Sequence, residues 1–259
     1  MPIDFHQAGN RRTYSDRDAD ESWRSAIRDL VDPVAARVVD IGCGGGTYTR
    51  AWHELGAASV TGVDFSEPIL DAARESHGTL PGVRFVHGNA AATGLPAGSA
   101  DLVLARALVH HVPDLPAVVA EARRILRPGG VYLVQDRTPD DVAQPGSVAH
   151  ARGWFFEVFP HLLAVENGRR PAAEELTRVL AAQGFTGVST VQLWETRRRY
   201  RDREEYLAEI GRRTGRSILH ELSDPELDRL VEALRERLPE GPIEERDRWT
   251  LWRAERPAT

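Results

Sequence analysis

The sequence predicts an α/β protein built on a mostly parallel sheet. Short apolar strands alternate with amphipathic helices from about residue 36 to residue 136, and this alternation is typical of a parallel sheet that is buried on both faces. The first strand ends in an acid and a glycine-rich run, VVDIGCGGG at 38–46, which is typical of a strand-to-helix turn beside a ligand. No run approaches the ~18 apolar residues that a membrane helix requires.

Each element of this alternation has its own signal in the sequence. Trp23, Ile27 and Leu30 stand at helical spacing and predict a helix over about 20–31. Ser66 and Asp114 are suited to cap the helices that follow the second and fourth strands. The five predicted strands are ARVVDIG (36–42), ASVTGVDF (58–65), VRFVHG (83–88), ADLVLARA (100–107) and VYLVQD (131–136).

The pattern is less regular after residue 136. Residues 138–170 are rich in helix breakers and aromatic residues, and a helix is predicted over about 171–183. FTGVSTVQLWETR predicts a sixth strand and RWTLWRAE a last one, with helical periodicity over 202–238 between them. The segment 138–170 and the helical insertion together could cover the ligand edge of the sheet.

Charge and composition exclude several classes of protein. The formal net charge is −6, which disfavours binding to nucleic acid. The chain has one cysteine, Cys43, and no lysine among its 33 basic residues, so an internal disulfide, a Schiff-base lysine and a phosphate-loop lysine are excluded. No secretory segment is visible at the N-terminus. We expect a cytoplasmic protein with no membrane or nucleic-acid partner; the sequence does not indicate an oligomeric state.

The glycine turn indicates which ligand the protein binds. The dinucleotide fingerprint G-x-G-x-x-G is absent, because Thr47 stands where the third glycine belongs. Asp40 would repel a diphosphate, whereas S-adenosylmethionine (SAM) has no phosphate and carries an ammonium and a sulfonium group that a carboxylate attracts. Gly42 and Gly44 let the backbone approach such a ligand closely. The alternative is a turn that only joins a strand to a helix.

Two further strand ends carry groups that suit an adenosine. Asp64 ends the second strand, and a carboxylate there accepts hydrogen bonds from both ribose hydroxyls. After the third strand, the Asn89 amide and the Ala90 backbone N–H are placed to pair with the adenine edge. Enzymes that use NAD make the same ribose contact, so Asp64 supports an adenosine without choosing between the two cofactors.

Four motifs stand in order at usual distances within residues 36–137. They are VVDIGCGGG, VTGVDFSEPILDAAR, VRFVHGNAAATGLPAGSADLVLARALVHHV and EARRILRPGGVYLVQD. Together they resemble the motifs of class I SAM-dependent methyltransferases of the small-molecule kind, methyltransferase type 11/25. The resemblance implies a Rossmann-like, seven-stranded, mostly parallel sheet of order 3-2-1-4-5-7-6 with strand 7 antiparallel. It also implies helices on both faces and a helical cap or insertion.

The resemblance further implies a division of the chain. Residues 1–35 would form an N-terminal helical cover, and residues 36–259 would form the SAM-binding methyltransferase domain. Lid or acceptor-site insertions are expected at about 138–170 and 201–240.

The resemblance implies SAM as cofactor and S-adenosylhomocysteine as its product, and it implies roles for particular residues. Asp40 and the glycines would lie near the methionine part of SAM, and Asp64 would bind the ribose. Asn89 stands where the family usually has aspartate, and Tyr14 would lie near the SAM carboxylate. The expected cofactor-binding residues are Tyr14, Asp40, Gly42, Cys43, Gly44, Asp64, Phe65, Asn89, Ala90 and Arg106.

The residues after the fourth and fifth strands are the candidates for chemistry, because ligands bind beyond the carboxyl ends of strands in an open α/β sheet. A histidine there suits proton removal from a hydroxyl or an ammonium. We expect His110 or His111 in that role; alternatively the pair supports the loop or the SAM pocket. Arg106 and Arg137 could bind a carboxylate or phosphate of the substrate. Alternatively, Arg106 binds the SAM carboxylate, or either arginine pairs with an acid such as Asp136.

An aromatic cluster follows the fifth strand. Trp154, Phe155, Phe156 and Phe159 could wall an apolar acceptor pocket, or they could form the core under a long loop. With Arg137, the residues Trp154 and Phe155 complete the predicted substrate-binding set. The histidines lack the spacing of a metal site, so no metal is predicted.

The leading prediction is an enzyme that transfers the SAM methyl group to an oxygen, nitrogen or carbon of a small molecule, with an anionic acceptor as one option. A macromolecule methyltransferase is the first alternative, although no N/D-P-P-Y/F motif and no Pro-Cys pair follow the fourth strand; a protein substrate stays open. The others are a non-catalytic protein that binds SAM or its product on the same fold, and a nicotinamide oxidoreductase.

Overall fold

The computed structural model of this protein describes residues 19–259. Seven strands and ten α-helices alternate along the described chain, with two short 3₁₀ helices at Val109–His111 and Ser217–Glu221. The strands are β1 (Arg37–Ile41), β2 (Ser59–Asp64), β3 (Val83–His87), β4 (Ala100–Arg106), β5 (Leu126–Asp136), β6 (Thr186–Tyr200) and β7 (Ile243–Glu255). The α-helices are α1 (Glu21–Leu30), α2 (Thr47–Glu54), α3 (Glu67–His77), α4 (Leu115–Ile125), α5 (Pro139–Val142), α6 (Arg152–Val158), α7 (His161–Asn167), α8 (Ala173–Ala182), α9 (Arg203–Gly211) and α10 (Asp224–Arg237).

The strands form a single sheet with the order β3-β2-β1-β4-β5-β7-β6. Strands β1 to β5 pair in parallel, and β7 pairs antiparallel with β5. The predicted α/β fold, strand order and antiparallel strand 7 are therefore confirmed. The carboxyl ends of β1, β2, β4 and β5 lie along one edge, which brings Asp40, Asp64, Arg106 and Asp136 to that edge.

Alternating apolar residues bury the sheet on both faces. In β1, Val38 belongs to one apolar cluster, which includes Trp23 and Ile27 of α1, and Val39 belongs to a second cluster that includes Val119 of α4. Side chains alternate between the two faces of a strand, so consecutive β-branched residues fill two cores. The short apolar runs of the sequence are therefore explained by a sheet buried on both faces.

The described chain divides into two compact units. The first, called here the sheet unit, contains residues 19–136, Pro171–Leu193 and Thr250–Thr259. The second, called here the helical unit, contains Arg137–Arg170 and Trp194–Trp249. The predicted insertions at 138–170 and about 201–240 thus fall within the helical unit.

The helical unit has its own apolar core, built from α6, α7, α9 and α10 and including Phe155, Tyr206, Leu219 and Leu230. Residues 138–170, which carry many breakers, form three short helices, α5 to α7, separated by turns. The helical stretch predicted over 202–238 is divided, because α9 ends at Gly211 and Arg213 has a positive φ of 55°. A second helix then starts after Ser223, with Pro225 in its first turn, where proline is tolerated.

Candidate functional site

The acid before the glycine turn is almost completely buried. Asp40, at the end of β1, is 2% exposed, and its Oδ2 accepts a hydrogen bond from Thr49 Oγ at 2.7 Å. The pKa of Asp40 is raised to about 6, chiefly by burial and also by the neighbouring carboxylate of Asp64, against the lowering effect of Thr49 and of the Arg106 guanidinium. The end of β1 is therefore a buried carboxylate with an excess of negative charge beside it. Thr49, on α2, was not predicted as part of this site.

The backbone N–H groups of the glycine turn are occupied by the protein itself. Gly42 N and Cys43 N donate to the Val63 carbonyl at 2.7 and 3.1 Å, and Gly44 N donates to Asp64 Oδ2 at 2.9 Å. A turn that cradles a diphosphate offers its N–H groups to the phosphate oxygens. Here two of these groups bond a carbonyl and one bonds a carboxylate, so the turn is unsuited to a dinucleotide.

Gly44 leaves open space where a side chain would stand. Its φ is +53°, and no atom lies within 4 Å of the position that a Cβ would occupy. Gly42 also has a positive φ, and a Cβ there would approach the Leu108 side chain to 3.0 Å. Cys43 lies between them and is 8% exposed, and burial keeps the pKa of its thiol well above the usual range. Cys43 therefore fills the turn as an uncharged thiol.

Asp64, at the end of β2, ties the first two loops together. One of its oxygens accepts from Gly44 N, and the other accepts from Ser66 N at 3.0 Å. Burial raises its pKa, against these hydrogen bonds. Phe65 N also bonds this carboxylate. A carboxylate offers about four lone-pair positions, so acceptor capacity remains for a hydroxyl group of a ligand. The next residue, Phe65, is 45% exposed and presents an aromatic ring at the same edge.

Asn89 follows β3 and shapes its own loop. Its Oδ1 accepts from Ala91 N at 2.8 Å, and the backbone of Asn89 bridges to Ala92. Such a bond is an Asx turn, and it orients the side-chain amide. No described residue accepts from the Asn89 NH₂ group, so this group is suited to donate to a base edge. Ala90, within the turn, packs partly buried against the second apolar cluster.

Arg106 ends β4 and stacks on an aromatic ring. Its guanidinium carbon lies 4.1 Å from the centre of the Tyr48 ring on α2. Tyr48 in turn packs edge-on against Trp23, with 5.0 Å between the ring centres. Cation–π contact fixes the guanidinium near Asp40, whose pKa it lowers. Tyr48 was not predicted, although its place in the first turn of the helix after the glycines is a usable signal.

His110 and Asp136 form a hydrogen-bonded pair at the ends of β4 and β5. His110 Nδ1 lies 2.9 and 2.8 Å from the two carboxylate oxygens of Asp136, which is completely buried. Because an ionised carboxylate only accepts, Nδ1 carries a proton and the Nε2 lone pair of the neutral ring is directed elsewhere. His111 is exposed and its ring lies 3.9 Å from that of His110. Of the two predicted histidines, His110 therefore has the geometry of an oriented base.

The three predicted substrate residues lie in the helical unit. Arg137 Nη1 is 3.5 Å from Asp247 Oδ1, and its guanidinium lies 5.0 Å from the Trp249 ring centre. Phe155 is completely buried in the core of this unit, and Trp154 packs against that core. These positions favour the core alternative for Phe155. Tyr14 lies outside the described residues.

Within residues 19–259, no group of three or more histidine, cysteine or acidic side chains is arranged to hold a metal ion. None of the helices in the same range combines the length and the hydropathy that crossing a membrane requires.

Fold and site together define an open α/β protein for an adenosyl ligand whose tail is cationic and carries no phosphate. The chain matches the family model described as a methyltransferase domain over residues 39–134. It is 38% identical over 153 residues to a trans-aconitate 2-methyltransferase of Rhodopseudomonas palustris. The aligned region covers 56% of this chain and 56% of that protein. It is 32% identical over 180 residues to a ubiquinone/menaquinone biosynthesis C-methyltransferase of Methylobacterium nodulans, covering 64% of this chain and 70% of that protein.

A solved structure shares the fold. Phosphoethanolamine N-methyltransferase 2 of Haemonchus contortus, in complex with S-adenosyl-L-methionine, superposes with a TM-score of 0.63 at 18% identity, covering 98% of this chain and 60% of that one. The match to the trans-aconitate enzyme spans little more than half of that relative. The chain belongs to the class I SAM-dependent methyltransferases, and its cofactor is SAM.

The residues present fit this cofactor. Asp40 and Asp64 place two carboxylates beside a turn whose N–H groups are already bonded, which suits a cation better than a phosphate. Open space at Gly44 and the exposed ring of Phe65 lie at the same edge of the sheet.

Proposed function

We propose that this protein transfers the methyl group of SAM to an oxygen, nitrogen or carbon nucleophile of a small-molecule acceptor, and that the acceptor carries an anionic group. The observation that carries the enzymatic part is the pair of His110 and Asp136 at the carboxyl ends of β4 and β5. A buried carboxylate that orients a histidine suits proton removal from an acceptor, a step that mere ligand storage would not require. The relatives named above act on small molecules, which supports a small acceptor.

Bound SAM supplies a methyl carbon activated by the adjacent sulfonium. Asp40 would attract the cationic methionine part, Asp64 would accept from the ribose hydroxyls, and Asn89 with the Ala90 N–H would pair with the adenine. Arg106 would bind the carboxylate of the methionine part, since a guanidinium suits a carboxylate. The walls of the cofactor site would be formed by Gly42, Cys43, Gly44 and Phe65.

His110 would act on the acceptor. The proton on Nδ1 is hydrogen-bonded to Asp136, so Nε2 carries a lone pair. This nitrogen would take the proton of a hydroxyl or ammonium group on the methyl acceptor. The Asp136 carboxylate then stabilises the imidazolium that forms. For a carbon nucleophile the same base would remove the proton that leaves after transfer.

An anionic acceptor is supported by one sequence relative. Trans-aconitate, the substrate named for that relative, is a polycarboxylate. Arginine is the only strongly basic side chain in this protein, and its planar fork binds carboxylates and phosphates in two contacts.

Isotope-labelled SAM, incubated with a cell extract and then fractionated, tests the proposal. Label in the small-molecule fraction is expected with the wild-type protein, and about a hundredfold less with His110→Ala. Label in protein would instead support a protein methyltransferase. Tight SAM binding without any transfer would support a non-catalytic binding protein on the same fold.

A further inference from the structure

The helical unit contains a cluster of buried charged side chains that the cofactor site does not use. His150, Arg152, Glu166 and Asp247 are each at most 5% exposed. Arg137 and Arg170 lie in the same cluster, paired with Asp247 and Glu166 respectively. Ions lose several kcal/mol of hydration on burial, so a buried charged or polar atom in such a cluster usually has a partner.

Glu166 serves two guanidinium groups at once. Its Oε1 accepts from Arg152 Nη2 at 2.9 Å, and its Oε2 accepts from Arg170 Nε at 2.9 Å. The two arginines, together with Arg137, hold the pKa of Glu166 well below its usual range although burial raises it. One carboxylate charge is therefore shared between two cations.

Arg152 is the under-compensated member of the cluster. The pKa of Arg152 is lowered to about 10, chiefly by burial and also by the nearby Arg137 guanidinium, against the raising effect of Glu166 and Asp247. Its Nε is buried and has no hydrogen-bond partner among the described residues. A guanidinium Nε–H is always a donor, so this atom requires an acceptor.

His150 presents a second buried atom of this kind. Its Nδ1 lies 2.8 Å from the Arg246 carbonyl oxygen, which only accepts, so Nδ1 carries the proton. Its Nε2 is buried and makes no hydrogen bond to any described residue. The ring lies in the same cluster, since Asp247 Oδ1 is 4.0 Å from His150 Nδ1 and 3.5 Å from Arg137 Nη1.

We propose that Arg152 and His150, with Arg137 beside them, form a binding site for one small oxyanion, a carboxylate or a phosphate. The Arg152 Nε–H would donate to one of its oxygens, and His150 Nε2 would accept from a hydroxyl of a hydrogen phosphate. The charge of the anion would complete the compensation that Glu166 supplies only in part. Asp247 opposes the anion at this site, and its own pairing with Arg137 limits that opposition. The oxyanion is either the anionic group of the methyl acceptor, in which case the inference rests on the proposed function, or a separate small anion.

Calorimetric titration with inorganic phosphate and with acetate tests the site directly. Wild-type protein is expected to bind at least one of them with a dissociation constant of about 1 mM or tighter. Arg152→Lys keeps a cation beside Glu166 and removes the Nε–H, so we expect affinity to fall about tenfold or more. Arg169→Lys is the matched control, because Arg169 forms a half-exposed ion pair with Glu221 in the same unit; its affinity should equal the wild-type value.

Nitrogen NMR of labelled histidine side chains gives a second readout, and binding is observed on the wild-type protein itself. Phosphate should shift the Nε2 signal of His150 in the wild-type protein, with the signal assigned by its loss in His150→Asn. Three results would each overturn the site. The first is that neither phosphate nor acetate binds up to about 10 mM. The others are an Arg152→Lys affinity equal to the wild-type value, and a loss of affinity in Arg169→Lys as large as that in Arg152→Lys.

Competition distinguishes the two sources of the oxyanion. If phosphate inhibits label transfer to the small-molecule fraction in the wild type but not in Arg152→Lys, the site holds the acceptor. If phosphate binds without affecting transfer, the site holds a separate anion. If no transfer occurs at all, the proposed function fails, whereas the calorimetric result for the oxyanion site still stands.

Discussion

At the scale of single residues, the candidate site contains carboxylates that are buried, where a negative charge lowers the stability of the folded protein. Asp40 is buried beside Asp64, and its pKa is raised to about 6. A buried charge of this kind lowers the stability of the folded protein and strengthens attraction for a cation. If Asp40 has the proposed role, the same side chain has opposite effects on folding and on cofactor binding.

Replacing Asp40 with asparagine should separate these two effects. An aspartate in an unfolded chain has a pKa of about 3.9, so the folded state binds more protons between pH 4 and pH 6 and loses stability as pH rises through that window. The asparagine side chain can still accept from Thr49 and carries no charge. At pH 7.5 we expect the Asp40→Asn variant to be more stable by roughly 3 kcal/mol and to bind SAM at least about tenfold more weakly.

Thermal unfolding at pH 7.5 and pH 4, with calorimetry of SAM binding, measures both effects. At pH 4 the stabilities of the wild type and Asp40→Asn should converge, because Asp40 is then protonated. A stability difference that does not depend on pH would contradict the assignment of the raised pKa to Asp40.

The pair of His110 and Asp136 makes a separate prediction. Asp136→Asn keeps an acceptor for Nδ1 but removes the charge that stabilises the imidazolium formed during transfer. We expect kcat to fall by about a hundredfold. The dissociation constant for SAM, measured by calorimetry, should stay within about twofold. An equal loss of turnover and SAM affinity would place this pair in the cofactor site.

At the scale of elements, local sequence signals position the strand ends and the helices that follow them. Asp114 caps α4, and its Oδ1 accepts from Ala117 N at 3.0 Å. The helix then buries Val118, Val119 and Ile125 against the sheet. The loop that carries His110 and His111 lies directly before this cap, so the start of α4 fixes where that loop ends.

Asp114→Ala should destabilise the protein by about 1 kcal/mol, the usual cost of losing an N-cap acceptor. Asp114→Asn is the matched control, since an amide oxygen caps equally well, and it should stay within about 0.5 kcal/mol of the wild type. Chemical denaturation measures both. Equal destabilisation by the two changes would mean that the charge of Asp114, and not its hydrogen bond, stabilises α4.

Part of the site was predictable from the sequence because it lies at strand ends. Asp40 and Asp64 end apolar runs that predict strands of a buried parallel sheet. The carboxyl ends of such strands lie at one edge of the sheet, so the position of both acids at that edge was predictable. The pairing of His110 with Asp136 was not predicted. In the structure, Arg106 at the end of β4 pairs in register with Gln135 of β5, the residue before Asp136. The neighbouring register of β4 and β5 is what brings two residues 26 positions apart into contact. That register depends on tertiary packing, which no local pattern encodes.

At the scale of the whole molecule, the two compact units carry buried acids in opposite situations. In the sheet unit, burial raises the pKa of Asp40 and Asp64. In the helical unit, neighbouring arginines hold the pKa of Glu166, Glu209 and Asp247 below the usual range, although burial raises it. Charged residues are usually exposed, which is why no pattern along the chain indicated these buried ion pairs.

The two units should therefore respond differently to acid. Stability supplied by a depressed carboxylate is present above the unfolded pKa of about 4.3 and is lost as pH falls below it. The raised acids of the sheet unit have the opposite sign, and their cost diminishes as pH falls; for Asp40 this happens between about pH 6 and pH 4. Hydrogen exchange is measured at pH 7 and pH 3.5 and corrected for intrinsic rates. Between these two values α9 and α10 should lose more protection than β1 and β4. A larger loss in β1 and β4 would show that the arginine pairs do not stabilise the helical unit.

The hydrogen bond from Gly44 to Asp64 limits how this cofactor site tolerates change. In the proposed cofactor site, this one side chain would both shape the loop for the methionine half of the ligand and face the sugar half. Substituting Asp64 would alter both halves at once, so no single variant can report on sugar recognition alone. Compensating mutations at Asp64 and in the glycine loop should therefore arise together in related sequences, because neither position is able to drift independently.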